Sequence, residues 1–235
     1  MSPSLTPRGE LLAGCRDELP LLLGVAPFGM IYGLLALDAG ISRLTAQAMS
    51  SVVFAGSAQL VATELVRQGA PALVLVLTIF VVNLRHALYS ASVAPYVRHL
   101  PRRWRLLLAY LLTDEAYAVA GSRYARDSRL PDPSPHRHWY FLGAGLTLWT
   151  AWQLSTAAGV FLGAQIPGRW SLDFTLALTF IALVFPALKD LAAGVAALSA
   201  GAVAVLAFGL PYKLGLVVAA AVGIVAGLAV ERLRT

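Results

Sequence analysis

Apolar residues arrive along this chain in blocks of about twenty, separated by short polar connections. An α-helix rising ~1.5 Å per residue needs about that many to cross a hydrocarbon core ~30 Å thick. The first block runs from Leu19 to about Leu37 and ends at Asp38-Ala39-Gly40. Pro27-Phe28-Gly29 lies at its middle. Proline removes one helical hydrogen bond and disfavours helical geometry in the residue before it, so a kink near Ala26 is expected. The second block, about Leu44 to Val66, has Phe54-Ala55-Gly56-Ser57-Ala58-Gln59 at its centre. Small residues there permit close helix approach, and the Gln59 amide needs an interhelical partner. The third block, Ala70 to Val97, has 28 residues. That exceeds one perpendicular crossing, so it reads as one tilted helix or as two pieces meeting near Asn83. The break is preferred, because it would free backbone groups for a substrate.

A fourth block, about Trp104 to Gly121, carries Thr113-Asp114-Glu115 in its centre, and the polar stretch Ser122 to His138 follows. Beyond it lie Trp139 to Ile166, Leu172 to Leu188, Leu191 to Leu210 and Leu214 to Val230. The pattern predicts an all-α, polytopic membrane domain of seven or eight crossings over residues 1–235. The connection 122–138 divides it into candidate halves, 19–121 and 139–230.

Composition agrees. The chain is 58% apolar and only 13% charged, with a mean hydropathy of +0.72, against ~45–50% and ~25% in soluble domains. The net charge of +6 does not indicate nucleic acid, because the charges sit in the gaps between apolar blocks, where they orient the protein and meet anionic head groups. Cys15 is the single cysteine, which excludes an internal disulfide and a cysteine-built metal site. Met1 to Glu18 mixes both charge signs before any apolar run; this is no cleavable signal, and the first span is expected to remain. With eight crossings, ten Lys/Arg fall on the side of the termini and seven on the other, which places both termini in the cytoplasm.

The candidate chemistry lies in the third block. Asn83-Leu84-Arg85-His86-Ala87-Leu88-Tyr89-Ser90 puts an amide, a guanidinium and an imidazole inside an apolar segment. Ionisable groups at that depth cost about 2.5–3.5 kcal/mol or more, and face a protein interior or a watery path. In helical geometry Asn83, His86 and Ser90 share a face, and Arg85 and Tyr89 form an adjacent line. Asp114 and Glu115 are the counter-charges. A purely structural ion pair is one reading, but an imidazole, an amide and two acids exceed what one pair needs. A zwitterionic amino acid would match the set. Its carboxylate suits Arg85 or Asn83, its ammonium suits Asp114 or Glu115, and Phe28, Phe54 and Tyr89 could wall an aliphatic side chain. His86 or an unpaired acid could carry a coupling proton.

Other groups carry less. His136 and His138 lack a third metal ligand, and His99 reads as a solvated loop residue. Ser50-Ser51 and Ser155-Thr156 are expected to bond their own helix or a neighbour. Trp104, Trp139, Trp149 and Trp170 suit interfacial anchoring. No nucleotide-binding glycine loop is present, no cofactor or metal is expected, and no nucleophile accompanies the acids as an intramembrane enzyme would require. The competing classes are a channel or an assembly subunit, both indifferent to neutralising Arg85 and Asp114, and that acid–base enzyme.

Pro27-Phe28-Gly29, Phe54 to Gln59, Asn83 to Ser90 and Thr113-Asp114-Glu115-Ala116-Tyr117-Ala118 resemble, in order and spacing, the AzlC-type permeases, large subunits of bacterial branched-chain amino acid exporters. Pro186 and Asp173-Phe174 are softer points of likeness in the second half. The resemblance implies proton-driven efflux of valine, leucine or isoleucine across the inner membrane, with a small hydrophobic AzlD-type subunit. Helix faces such as Gly194/Leu198 and Gly223/Gly227 would suit a partner helix. On that reading Gln59, Asn83, Arg85, His86, Tyr89, Asp114 and Glu115 recognise substrate or protons, and Pro27, Phe28, Gly29, Phe54, Gly56 and Ser57 form kinks and walls.

Overall fold

The computed structural model describes residues 6–128, 134–162, 188, 190–211 and 214–233. Every regular element among them is helical: α1 (Pro7–Glu18), a 3₁₀ turn (Leu19–Leu21), α2 (Leu22–Asp38), α3 (Arg43–Val53), α4 (Gly56–Arg67), α5 (Ala72–Val97), α6 (Arg102–Tyr110), α7 (Asp114–Asp127), α8 (Arg137–Leu162), α9 (Leu191–Leu206) and α10 (Leu214–Arg232). Pro7–Asp38, Ala72–Val97 and Leu214–Arg232 are long and apolar enough to cross a membrane, and Leu191–Leu206 is apolar but shorter. Most of the expected span Leu172–Leu188, with Asp173-Phe174 and Pro186, lies outside the described residues, as does Trp170.

Three expectations change. The long third block is one unbroken helix of 26 residues through Asn83, about 39 Å at ~1.5 Å per residue, a length that tilt accommodates. The interruptions fall instead in the second and fourth blocks, at Phe54-Ala55 and at Leu111–Thr113. Phe54 closes α3 in the left-handed region, at φ 42°, where a bulky side chain is rare. Thr113 starts α7 as its N-cap, its hydroxyl accepting from the Ala116 N–H, with Asp114 and Glu115 in the first turn. Both features suit a helix N-terminus, whose first N–H groups lack intrahelical partners and whose dipole favours acids.

The N-terminal polar stretch, read from the sequence only as no cleavable signal, forms a packed helix. Thr6 caps α1, Pro7 occupies its first turn, and α1 packs on α8 and α7. Glu10 is buried at 0% exposure and meets Arg123 at 3.3 Å, which also binds Asp127 at 2.9 Å. α7 continues to Asp127, beyond the expected boundary at Gly121.

α8 is the central post, packing most heavily on α1 and α2. Glycines make this closeness available: a Cβ on Gly14 would collide with the Tyr140 carbonyl, and one on Gly159 with that of Met30. On the other side a Cβ on Gly33 would stand 2.7 Å from the Thr156 carbonyl oxygen and 2.8 Å from the Val160 nitrogen. Gly33→Leu is therefore expected to wedge α2 from α8 and cost on the order of 1–3 kcal/mol. Thermal unfolding in detergent would register it, with Gly194→Ala as a neutral control because nothing lies within 4 Å of that site. A polar seam locks α3 to α8. Ser50 and Thr156 hydroxyls meet at 2.9 Å, Gln47 donates to Gln153 at 2.9 Å, and Ser51 donates to Gln153 at 2.9 Å. These serines and threonines thus bond across helices.

α9 and α10 form a close hairpin in which Gly223 abuts Ala200 and Gly227 abuts Ala196. The Gly223/Gly227 face, expected to await another subunit, is consumed within the chain; Gly194 and Leu198 remain open, Leu198 at 78% exposure.

Candidate functional site

The two interrupted helices end their breaks at one cavity. It is lined by Val25 and Phe28 of α2, Phe54 to Ser57 at the α3–α4 break, Arg85 and His86 of α5, Thr113 to Glu115 at the start of α7, and Leu148 and Trp152 of α8. Of the residues singled out from the sequence, Phe28, Phe54, Gly56, Ser57, Arg85, His86, Asp114 and Glu115 meet there. They come from four separate stretches of chain.

Arg85 organises the charges. Its Nη1 forms an ion pair with Asp114 Oδ2 at 2.5 Å, and its Nη2 donates to Ser57 Oγ at 2.6 Å. Its Nε is buried without a hydrogen-bond partner. Asp114 also accepts from the Tyr89 hydroxyl at 2.7 Å, and Tyr89 stacks on Tyr117 with centroids 4.5 Å apart. Tyr89 therefore orients the acid from behind instead of forming an apolar wall. His86 sits edge-on to Tyr89, and its Nδ1 lies 3.3 Å from the Asn83 carbonyl.

The start of α4, which meets Arg85 through Ser57, shares its need for an anion. No side chain caps it; Ala55, at its N-cap position, donates its own N–H to Gln59 Oε1 at 3.2 Å. The following N–H groups belong to Gly56 and Ser57, which line the cavity, and an uncapped helix start of this kind attracts anions. α7 starts with two acids instead. One cavity thus presents a cation and helix-start donors beside a carboxylate pair.

Besides Tyr89, four expected residues stand outside the cavity lining. Gln59 is fully buried and holds the α3–α4 break from inside; its Oε1 accepts within the same segment where an interhelical partner was expected, and its Nε2 is buried without a hydrogen-bond partner. Asn83 is not among the lining residues, and its Oδ1 is buried without a hydrogen-bond partner. Pro27 lies within α2, which continues through it, and Gly29 packs against Ser155 and Trp152. Conversely, sequence reasoning missed the α8 wall. Trp152 lies 5.6 Å from the Phe28 ring and stacks at 6.2 Å on Tyr32; only its place in a long apolar block was visible. Among the described residues no cluster of three His, Cys, Asp or Glu could hold a metal; His138 instead packs edge-on to Trp104.

The enclosed space is small, about 30 Å³, which is room for one water.

A family model described as AzlC protein matches residues 20–166, a span holding every lining residue of the cavity. The inner membrane protein YgaZ of Escherichia coli (strain K12) is 28% identical over 156 residues, covering 66% of this chain and 62% of YgaZ. The alignment therefore spans less than two thirds of that relative's length. An uncharacterized membrane protein of Archaeoglobus fulgidus is 30% identical over 208 residues, 86% of each chain. One from Helicobacter pylori (strain 26695) is 33% identical over 115 residues, 47% of this chain and 50% of the relative. No solved structure matches.

Proposed function

We propose, from the premise that this chain belongs to the AzlC family of membrane proteins, that it is a secondary transporter exporting branched-chain amino acids across the bacterial inner membrane. It runs on protons and works as the large subunit beside a small AzlD-type membrane partner. The observation that carries this reading is the single cavity joining the uncapped start of α4 and Arg85 to Asp114 and Glu115. A zwitterion supplies the charge each half lacks. Its carboxylate replaces Asp114 on the planar fork of Arg85 and takes the N–H groups of Gly56 and Ser57, as half-helix starts do in transporters. Its ammonium takes Asp114 or Glu115. An aliphatic side chain lies against Phe28, Phe54, Leu148 and Trp152, which reward apolar contact.

The Arg85–Asp114 bridge then serves as the resting state of the site. With substrate absent the two groups satisfy each other, and the cavity stays near the volume of one water. Substrate exchanges one ion pair for two, which offsets the cost of opening. A channel would need a continuous wet path, whereas this site is enclosed by aromatic rings.

Cells producing this chain together with a small hydrophobic AzlD-type chain are expected to export intracellular valine and leucine several times faster than cells with neither. Feeding a valine- or leucine-containing dipeptide and following the free amino acid in the medium measures it. Should the amino-acid levels not respond, the transporter reading fails.

A further inference from the structure

We infer that the cleft between α5 and α6 is a binding site for one anionic phospholipid. Arg98, Arg102 and Arg105 hold its phosphate, and an acyl chain lies along the apolar walls behind them. The site is separate from the Arg85 cavity and does not depend on what the protein transports. Its volume is about 420 Å³, against about 30 Å³ at Arg85, and falls within the ~300–1,000 Å³ of ordinary ligand pockets. α5 and α6 are joined by the short connection 98–101, yet they pack little against each other. The cleft is the space left between them.

The mouth of the cleft carries charge that the chain does not answer. Arg98 is the C-cap of α5, Arg102 opens α6, and Arg105 follows within the first turn. All three are exposed. Arg67, Arg85 and Arg123 are each paired with an acid, whereas among the described residues these three make no ion pair or side-chain hydrogen bond. No lining residue is acidic. Arg102 and Arg105 also stand at the positive end of the α6 dipole, with no acid in its first turn. That placement is unfavourable, and a bound anion relieves it.

The rest of the lining says which anion. Val93 and Val97 of α5, Leu108 and Leu112 of α6 and Phe141 of α8 supply apolar surface, and all five pack in or against the hydrophobic core. The walls are therefore fixed. A soluble phosphate gains nothing from such a surface, whereas an acyl chain does. α5 is long and apolar enough to cross a membrane, and Arg98 follows its last residue. The arginines thus stand at head-group level, and the lining reaches back to Ser90, about 12 Å along α5 at ~1.5 Å per residue. Basic pockets of this kind between membrane helices take anionic head groups. Ser90, which helical spacing put on one face with Asn83 and His86, lines this cleft and not the Arg85 cavity.

The test uses the full chain, delipidated in an uncharged detergent and titrated with dioleoylphosphatidylglycerol, dioleoylphosphatidylcholine or inorganic phosphate. Native mass spectrometry counts what is bound. The micelle has no surface charge, so an arginine outside the site contributes nothing. One phosphatidylglycerol per chain is expected to bind at least about tenfold tighter than phosphatidylcholine, with inorganic phosphate unable to displace it. Arg102→Ala should weaken it about fivefold and Arg98→Ala/Arg102→Ala about 30-fold, the effect of one and two arginines at an anionic lipid. Arg103→Ala removes the same charge one residue away, where the side chain does not line the cleft, and should change affinity less than about twofold. Ala109→Trp fills the cleft and keeps every charge; Ala109 is exposed, so the fold tolerates it. It should weaken binding at least about tenfold, and phosphatidylglycerol should raise the thermal unfolding midpoint of wild type and Arg103→Ala but not of Ala109→Trp. Equal affinity for the two lipids, equal effects of Arg102→Ala and Arg103→Ala, or unchanged binding in Ala109→Trp overturns the site. Displacement by inorganic phosphate leaves an anion site without a lipid and overturns it as well. So does loss of a co-purified small partner chain in Ala109→Trp with lipid binding intact, which gives the cleft to a protein helix.

Discussion

Arg85→Ala is expected to cut the proposed amino-acid export on the order of 10²–10³-fold while most of the protein remains folded. The size follows from what the guanidinium does. It spans the cavity from Asp114 at 2.5 Å to Ser57 at 2.6 Å, so it is the group that reports to both interrupted helices. Truncating one partner of a buried, hydrogen-bonded charge pair typically costs 2–5 kcal/mol, and every ~1.4 kcal/mol is tenfold. Arg85 and Asp114 side chains keep 26% and 22% of their exposure, which holds the stability cost toward the low end. The binding cost would not be reduced in this way, because a bound zwitterion would exclude that water. Arg85→Lys retains the charge but not the fork, and should leave an intermediate rate. Asp114→Asn should fall with Arg85→Ala. The double variant Arg85→Ala/Asp114→Ala separates folding from function: removing both charges recovers thermal stability relative to either single change, yet export stays absent. Export that survives Arg85→Ala in a folded protein would remove Arg85 from the site.

Much of this site was legible before any coordinates. Arg85 and His86 in an apolar block, Asp114-Glu115 one block later, and the small-residue run at Gly56-Ser57 were each expensive or unusual locally, and the fold brings them to one cavity. The helix interruptions were misplaced because block length was the wrong signal. A 26-residue α5 is continuous, a length that tilt can accommodate, whereas α3 and α6 stop inside blocks of ordinary length. The break before α7 had a readable signature, Thr113 followed by two acids, which is the chemistry of a helix start. The break after α3 had none, since Phe54 occupies a conformation that glycine would normally announce. Leu148 and Trp152 reach the cavity through contacts with α2 far away in sequence, which no local pattern encodes. The same holds for α1. Its mixed charges gave no sign of the packing, because the partner that buries Glu10, Arg123, lies 113 residues further along.

Gly56→Val is expected to stop export almost as completely as the loss of Arg85, by a different route. Gly56 is the first residue of α4, and a Cβ there would stand 2.7 Å from Phe28 Cε1 and 2.8 Å from Trp152 Cη2. Both rings belong to buried side chains, at 5% and 4% exposure, so neither can simply swing out to solvent. Overpacking of this kind costs roughly 1–3 kcal/mol, which a folded membrane domain survives. The cavity does not survive it, because its volume of about 30 Å³ is room for one water, less than a branched side chain adds. The effect should be graded: Gly56→Ala lowers export about tenfold and Gly56→Val at least 100-fold, with the Arg85–Asp114 bridge left intact. Space, not charge, is then what has been lost, and space can be restored. Phe28→Leu placed in the Gly56→Ala background removes the ring that the new methyl strikes. The double variant should regain a substantial part of the rate, with its preference moved toward larger aliphatic substrates. Export and competition among valine, leucine and isoleucine, measured in the same vesicles, decide the matter. A Gly56→Ala variant that exports normally, or a double variant that only compounds the damage, would place the substrate somewhere other than against the start of α4.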